Sequence, residues 1–325
     1  MSIKYTMGLM EIFKKQGGMK LIEQYYRGGA LFTAICEFLI LGKEKKALEI
    51  LRLSAQYKIQ KNLRKKYNKD IEDFLLGYDS SVPSVASNKV WVCWFQGMDH
   101  APDIVKKCYK SLKDNLNDRE IILVTKDNMF DYVKFPDFII DKWKKGQISN
   151  THMSDLLRLE LLIKYGGMWV DSTVFCTSKR KDIPDYFFDS DLFFYQSFKP
   201  GRDGHCQPVS NWLISAKTNN KILLMTRYLC YKYWYENSTV VDYFIFHDFF
   251  VMSLEKNKSE WDKVLPRDNA APHYLLLRLF DKYDEQTWRA IKEQTPFHKL
   301  TYKFDNNDTK KKETYYEVLF GKELR

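Results

Sequence analysis

SDLLRLELLIKYGGMWVDSTVF, residues 154–175, sets two acids and a base in a layout that decides the fold. Upstream and within it, apolar residues recur at Leu156, Leu157, Leu159, Leu161, Leu162 and Ile163, enough for a mostly buried helix over residues 151–165. Thr151 or Ser154 can cap its start, and Gly166 can take the left-handed conformation that closes its end. Asp155 and Arg158, three residues apart, share one helix face. Residues 168–170 then read as a short buried strand that delivers Asp171 to its carboxyl end, where open α/β sheets bind ligands. On so apolar a helix an acid and a base need partners, and the lip of a ligand pocket supplies them.

The same residues resemble the signature of the family 32 glycosyltransferases, in the branch of bacterial capsular polysaccharide synthesis proteins, a layout shared with the related glucosylating toxins. The likeness extends over residues 88–305. Residues 89–97 (KVWVCWFQG) are similar to the first strand of that fold, ending in a Trp-x-x-Gly turn. A helix over residues 101–116 and a strand over 120–125 follow, and later blocks lie at residues 211–216 and 242–247. The resemblance implies a GT-A type, Rossmann-like α/β domain that binds a nucleotide-sugar, preceded by a helical N-terminal segment. It implies that Trp94 stacks on the base, that Asp155 and Arg158 hold the ribose, sugar and phosphate region, and that Asp171 binds a divalent metal. The sequence departs from the family's D-x-D motif at one place: Thr173 stands at the third position.

The implied chemistry is transfer of a hexose from a nucleotide donor, UDP-linked by resemblance, to a lipid-linked capsular or surface polysaccharide repeat, with retention of configuration. Charge develops on the departing diphosphate, and a divalent cation can neutralise it without proton transfer. Mn²⁺ or Mg²⁺ keeps waters and takes phosphate oxygens as ligands, so Asp171 and Thr173 would need one more protein donor. His247 with Asp248 is the candidate, with His247 also offered as a pyrophosphate or acceptor contact. The plain alternative for that histidine is a buried ring bonded to a carbonyl. Asn269 and His273 are further candidates, and His152 reads as part of the helix cap. Trp169, two residues before Asp171, faces the same side of its strand and either lines the donor pocket or packs into the sheet. Two other classes stay open: a nucleotide-sugar-binding protein that has lost catalysis, and a transferase that modifies a protein.

Charge is uneven along the chain. Residues 1–69 hold 15 Lys and Arg against 5 Asp and Glu, so they account for the whole net charge of +10. The expected organisation is a basic helical segment over residues 1–84 and the glycosyltransferase domain over residues 85–325. Helical spacing is read at residues 19–26, 30–41 and 45–57. The longest apolar stretch, residues 30–41, is too short to span a bilayer, which takes about 20 residues. Its basic face fits either an anionic membrane surface or a solvated cap. Nucleic acid is not an expected partner, because the basic residues belong to no recognition module. Six cysteines without a C-x-x-C pair, and no secretory leader at the start, place the chain in a reduced cytoplasm, peripheral on the inner membrane face.

Overall fold

The computed structural model describes residues 18–198, 207–305 and 307–321. Three helices come first: α1 (Met19–Arg27), α2 (Leu31–Leu41) and α3 (Lys45–Gly77). A mixed α/β region follows. Its strands are β1 (Lys89–Cys93), β2 (Glu120–Val124), β3 (Gly167–Val170), β4 (Val174–Cys176), β5 (Leu192–Gln196), β6 (Val209–Ala216) and β7 (Phe297–Lys299). The main helices among them are α4 (Asp103–Asn115), α5 (Asp137–Lys144), α6 (Asn150–Tyr165), α7 (Lys221–Glu236), α8 (Ile245–Lys256), α9 (Glu285–Gln294) and α10 (Tyr315–Phe320).

Five strands form one sheet in the order β2-β1-β3-β6-β5, and β4 pairs with β7 in a separate two-stranded sheet. β1 is parallel to both β2 and β3, whereas β6 runs antiparallel to β3 and to β5. Thus β6 alone is reversed in this sheet, and the expected α/β architecture is present. The chain leaves β1 towards β2 on one side and returns to β3 on the other, so a crevice opens at their carboxyl ends. Trp94 and Asp171 lie on the two lips of that crevice.

Side chains alternate across the sheet with a period of two. Trp91, Trp169, Ile214 and Phe194 enter one apolar layer with α6, α7 and α8. Val90, Val92, Met168, Val170, Leu213 and Phe193 enter the other. Two glycines permit the turn from α6 into β3. Gly166 and Gly167 have φ of +66° and +91°. A Cβ on Gly167 would lie 2.3 Å from the Lys89 carbonyl oxygen, so only glycine lets β3 approach β1 there.

The N-terminal helices do not form a core of their own. Ala55, Ile59, Leu63, Tyr67 and Ile71, four residues apart along α3 in turn, share the apolar layer of α6, α7 and α8. The Tyr67 ring meets Phe249 edge-on at 5.3 Å. Helix α3 runs 20 residues beyond the expected end at Tyr57, because no glycine or proline interrupts residues 58–76. The start of α6 also differs from the expectation. Its cap is Ser149, whose hydroxyl accepts from the His152 amide, rather than Thr151 or Ser154. Ser149 Oγ lies 2.9 Å from His152 Nδ1 as well, so that histidine belongs to the cap.

Candidate functional site

Helix α6 brings Asp155 and Arg158 to the carboxyl end of β3, and the strand hands over Asp171 directly beside them. Arg158 is 4 % exposed. Its Nη1 lies 3.0 Å from Asp155 Oδ1 and its Nη2 lies 3.3 Å from Asp171 Oδ1. The guanidinium sits over the Trp169 ring at 4.9 Å and the Phe246 ring at 5.5 Å. One arginine therefore bridges both acids and is fixed by two aromatic faces. Trp169 itself is buried in the sheet, with its Nε1 donating to Asp171 Oδ1 at 3.0 Å. It packs into the sheet and also edges a cavity wall.

The two acids are shifted in opposite directions. Burial pushes the Asp155 carboxyl above its usual range, and Arg158 and His152 pull it back only in part. Asn211 Nδ2 donates to its Oδ1 at 2.9 Å. Burial pushes Asp171 upward too, but Lys299 and then Arg158 outweigh it and hold that carboxyl below the usual range. Environments that drive paired carboxyl groups apart are a mark of functional sites.

Two cavities open on this cluster. One, of about 570 Å³, is lined by Trp94, Gln96, Ser154, Ser172, Thr173 and Tyr302. The other, of about 400 Å³, is lined by Asp155, Asn211, Trp212, His247, Asn269 and His273. Thr151, Arg158, Asp171 and Lys299 belong to both and form the ridge between them. Both volumes lie in the range of small-ligand sites. The Trp94 ring stands edge-on to Tyr302 at 5.3 Å, giving the larger cavity an aromatic end.

The histidine and asparagine candidates reach the smaller cavity from α8 and from the segment over residues 269–273. His247 comes from α8, its ring against Phe244 and Phe246. Asn269 accepts from Trp212 Nε1 at 2.8 Å, and the Asn269 carbonyl oxygen lies 2.7 Å from His273 Nδ1. Asp248 does not join them. It is wholly buried, accepts a hydrogen bond from Gln207, and faces Asp242 rather than the cavity.

The donors expected for Mn²⁺ or Mg²⁺ already have other partners. Among the described residues no group of three or more His, Cys, Asp or Glu gathers to hold an ion. Asp171 Oδ1 already serves Arg158 and Trp169, and Asp171 Oδ2 lies 2.9 Å from Lys299 Nζ. The same ammonium donates to Thr173 Oγ1 at 2.7 Å. Lys299 is the residue that sequence reasoning missed, along with Asn211 and Tyr302. It sits 128 residues from Asp171, on a three-residue strand with no motif around it. Among the described cysteines, Cys93 lies on the wall of the larger cavity. The five described are free thiols, and burial pushes those of Cys93 and Cys176 up to about 12.

Comparison with known proteins adds family to geometry. A search of curated proteins finds no match. Among solved structures, PaToxG glycosyltransferase is similar at 13 % identity and a TM-score of 0.39, over 82 % of this chain and 96 % of that one. The family described as capsular polysaccharide synthesis protein matches residues 42–319, from the start of α3 to the last helix. With that match covering most of its length, the chain belongs to the capsular polysaccharide synthesis protein family.

Proposed function

We propose that this protein is a glycosyltransferase that moves a hexose from a nucleotide-sugar, a UDP-hexose, to a lipid-linked capsular or surface polysaccharide repeat. The observation that carries the reading is the Asp155–Arg158–Asp171 bridge on the ridge between two cavities at the sheet's carboxyl edge. The aromatic end at Trp94 and Tyr302 suits a base, the ridge suits the diphosphate, and the cavity of Asn211, His247, Asn269 and His273 suits sugar and acceptor hydroxyls. Asp155, raised by burial and braced by Asn211, takes a hydroxyl of the donor. Transfer proceeds on one face with retention. The bond from C1 to the diphosphate oxygen breaks and its electron pair stays on the diphosphate. An acceptor hydroxyl oxygen bonds to C1, and its proton goes to the departing diphosphate oxygen. Arg158 is fixed by its two carboxylate partners and two rings, so it presents charge without reorganising.

Thermal shifts with UDP, GDP and CMP test the donor assignment. A nucleotide at 100 times its dissociation constant stabilises the fold by about 2.7 kcal/mol. UDP is expected to raise the melting temperature more than GDP or CMP, and Trp94→Ala is expected to abolish that difference. Equal small shifts with all three would sink the UDP assignment.

The acceptor reading places the protein against an anionic bilayer. No helix among the described residues is long and apolar enough to cross a membrane. Helix α2 instead exposes Phe32 (80 %), Leu39 (77 %) and Ile40 (78 %). Exposed Lys43, Lys45 and Lys46 follow it directly. Each basic residue near an anionic surface contributes about 1 kcal/mol. Sedimentation with phosphatidylcholine vesicles, with and without phosphatidylserine, reads this out. Binding is expected only with phosphatidylserine, and Phe32→Ser/Leu39→Ser/Ile40→Ser is expected to lose it. Binding that ignores vesicle charge, or a triple variant that binds as before, would count against the membrane contact.

A further inference from the structure

The two-stranded sheet has one visible consequence. β4 leaves Asp171 and Thr173 directly, and β7 returns antiparallel to it with Val174 opposite Lys299. The Leu300 amide donates to the Thr173 carbonyl oxygen at 2.9 Å, which locks the register. This pairing holds the Lys299 ammonium between Asp171 Oδ2 and Thr173 Oγ1, the two side chains at the motif's first and third positions. An ammonium has three donors. Among the described residues two are used here, and Lys299, which lines both cavities, has the third for a ligand on the ridge.

Charge arithmetic explains why Thr173 goes with Lys299. A D-x-D pair with a divalent cation sums to zero. Asp171 with Thr173 and a lysine also sums to zero, since one negative and one positive charge have been removed together. A divalent ion placed here would meet Lys299 within hydrogen-bond distance of the same oxygens, and like charges at such separations repel strongly in a partly buried site.

Resting on the glycosyltransferase reading above, we infer that Lys299 takes the role of the metal: its ammonium binds the donor's diphosphate and neutralises the charge that develops on it as the bond to C1 breaks. The transferase is then metal-independent. Asp171 and Thr173 act as positioning residues that aim the ammonium. Arg158 remains braced between its two acids.

The test measures hydrolysis and transfer with UDP-glucose and GDP-mannose, and calorimetric binding of UDP and GDP, each in EDTA and in Mn²⁺. Wild-type binding and turnover are expected to be the same in both. Lys299→Met is expected to lower kcat by about 10²–10³, as loss of one preorganised electrostatic partner does, with weaker nucleotide binding as well. Lys299→Arg is expected to recover part of both, because it restores a cation at the same place. Wild-type activity that disappears in EDTA and returns with Mn²⁺ would overturn the inference, as would a fully active Lys299→Met. The EDTA comparison needs no variant, so it decides the matter even if Lys299→Met fails to fold. Nucleotide binding with no sugar release or transfer would instead refute the transferase reading and remove this inference with it.

Discussion

Arg158→Ala is expected to cost both stability and activity. The guanidinium is 4 % exposed and is the cation between two carboxylates that lie 16 residues apart in sequence. Its loss leaves Asp155 buried beside Asn211 with no cation at contact distance. Removing one partner of a buried pair costs about 3–5 kcal/mol, because the remaining charge stays desolvated. The stacking on Trp169 and Phe246 is lost with it. Asp171 keeps Lys299 and Trp169, so it suffers less. At about 2 °C per kcal/mol for a chain of this size, the melting temperature is expected to fall by roughly 6–10 °C. Turnover is expected to fall by about 10²-fold or more. Arg158→Ala/Asp155→Asn separates the two effects. Neutralising Asp155 is expected to recover part of the stability and none of the activity. A double variant no more stable than Arg158→Ala would show that packing on the rings, rather than the stranded charge, dominates.

Asp242→Asn is expected to stabilise the protein above neutral pH. Asp242 is buried, accepts from the Phe244 amide at 2.8 Å, and faces Gln56 and Arg52 of α3 with Asp248 of α8 nearby. Burial raises its carboxyl from 3.8 to about 6, with Phe244, Gln56 and Arg52 opposing. Asp248 is raised as well, by burial first and by Asp242 second. Between 3.8 and about 6 the folded state binds more protons than the unfolded chain, so stability falls as pH rises through that window. Above it the full penalty of about 3 kcal/mol applies, at 1.36 kcal/mol per unit. Asparagine keeps the acceptor for Phe244 and carries no charge. Urea unfolding at pH 8 should show the variant more stable by up to about 3 kcal/mol, and the gap should close towards pH 4. A variant destabilised equally at both ends would mean that Arg52 requires the carboxylate, and the prediction would be lost.

The segment that decides the fold was legible because its information is local. Residues three apart on a helix face, a glycine pair and a three-residue strand need no distant partner to be recognised, so Asp155, Arg158 and Asp171 could be placed together from spacing alone. Trp94 was singled out by the family resemblance instead, at the end of the apolar run that forms β1. The helix cap was less so. Ser149, Thr151 and Ser154 are all competent cap residues, and only the backbone, extended at Ser149 with φ −71° and ψ 162°, chooses between them.

Other features could not be read along the chain. Asp248 follows His247 by one residue, and a helix turns consecutive side chains by about 100°. One therefore reaches the cavity and the other is buried against Gln207 and Asp242. The length of α3 was underestimated because beyond Tyr57 its buried apolar residues, Ile59, Leu63, Tyr67 and Ile71, stand singly in a strongly polar run, and only their packing in the shared core shows the helix continuing.

By itself, the sequence determined the α6–β3 unit, the acid–base–acid cluster it carries and the concentration of positive charge in the first 69 residues. All of these follow from neighbours within a few turns. The tertiary structure alone decided which cation sits between Asp171 and Thr173. Lys299 arrives there from 128 residues away through the pairing of β7 with β4, a long-range contact that no local spacing encodes.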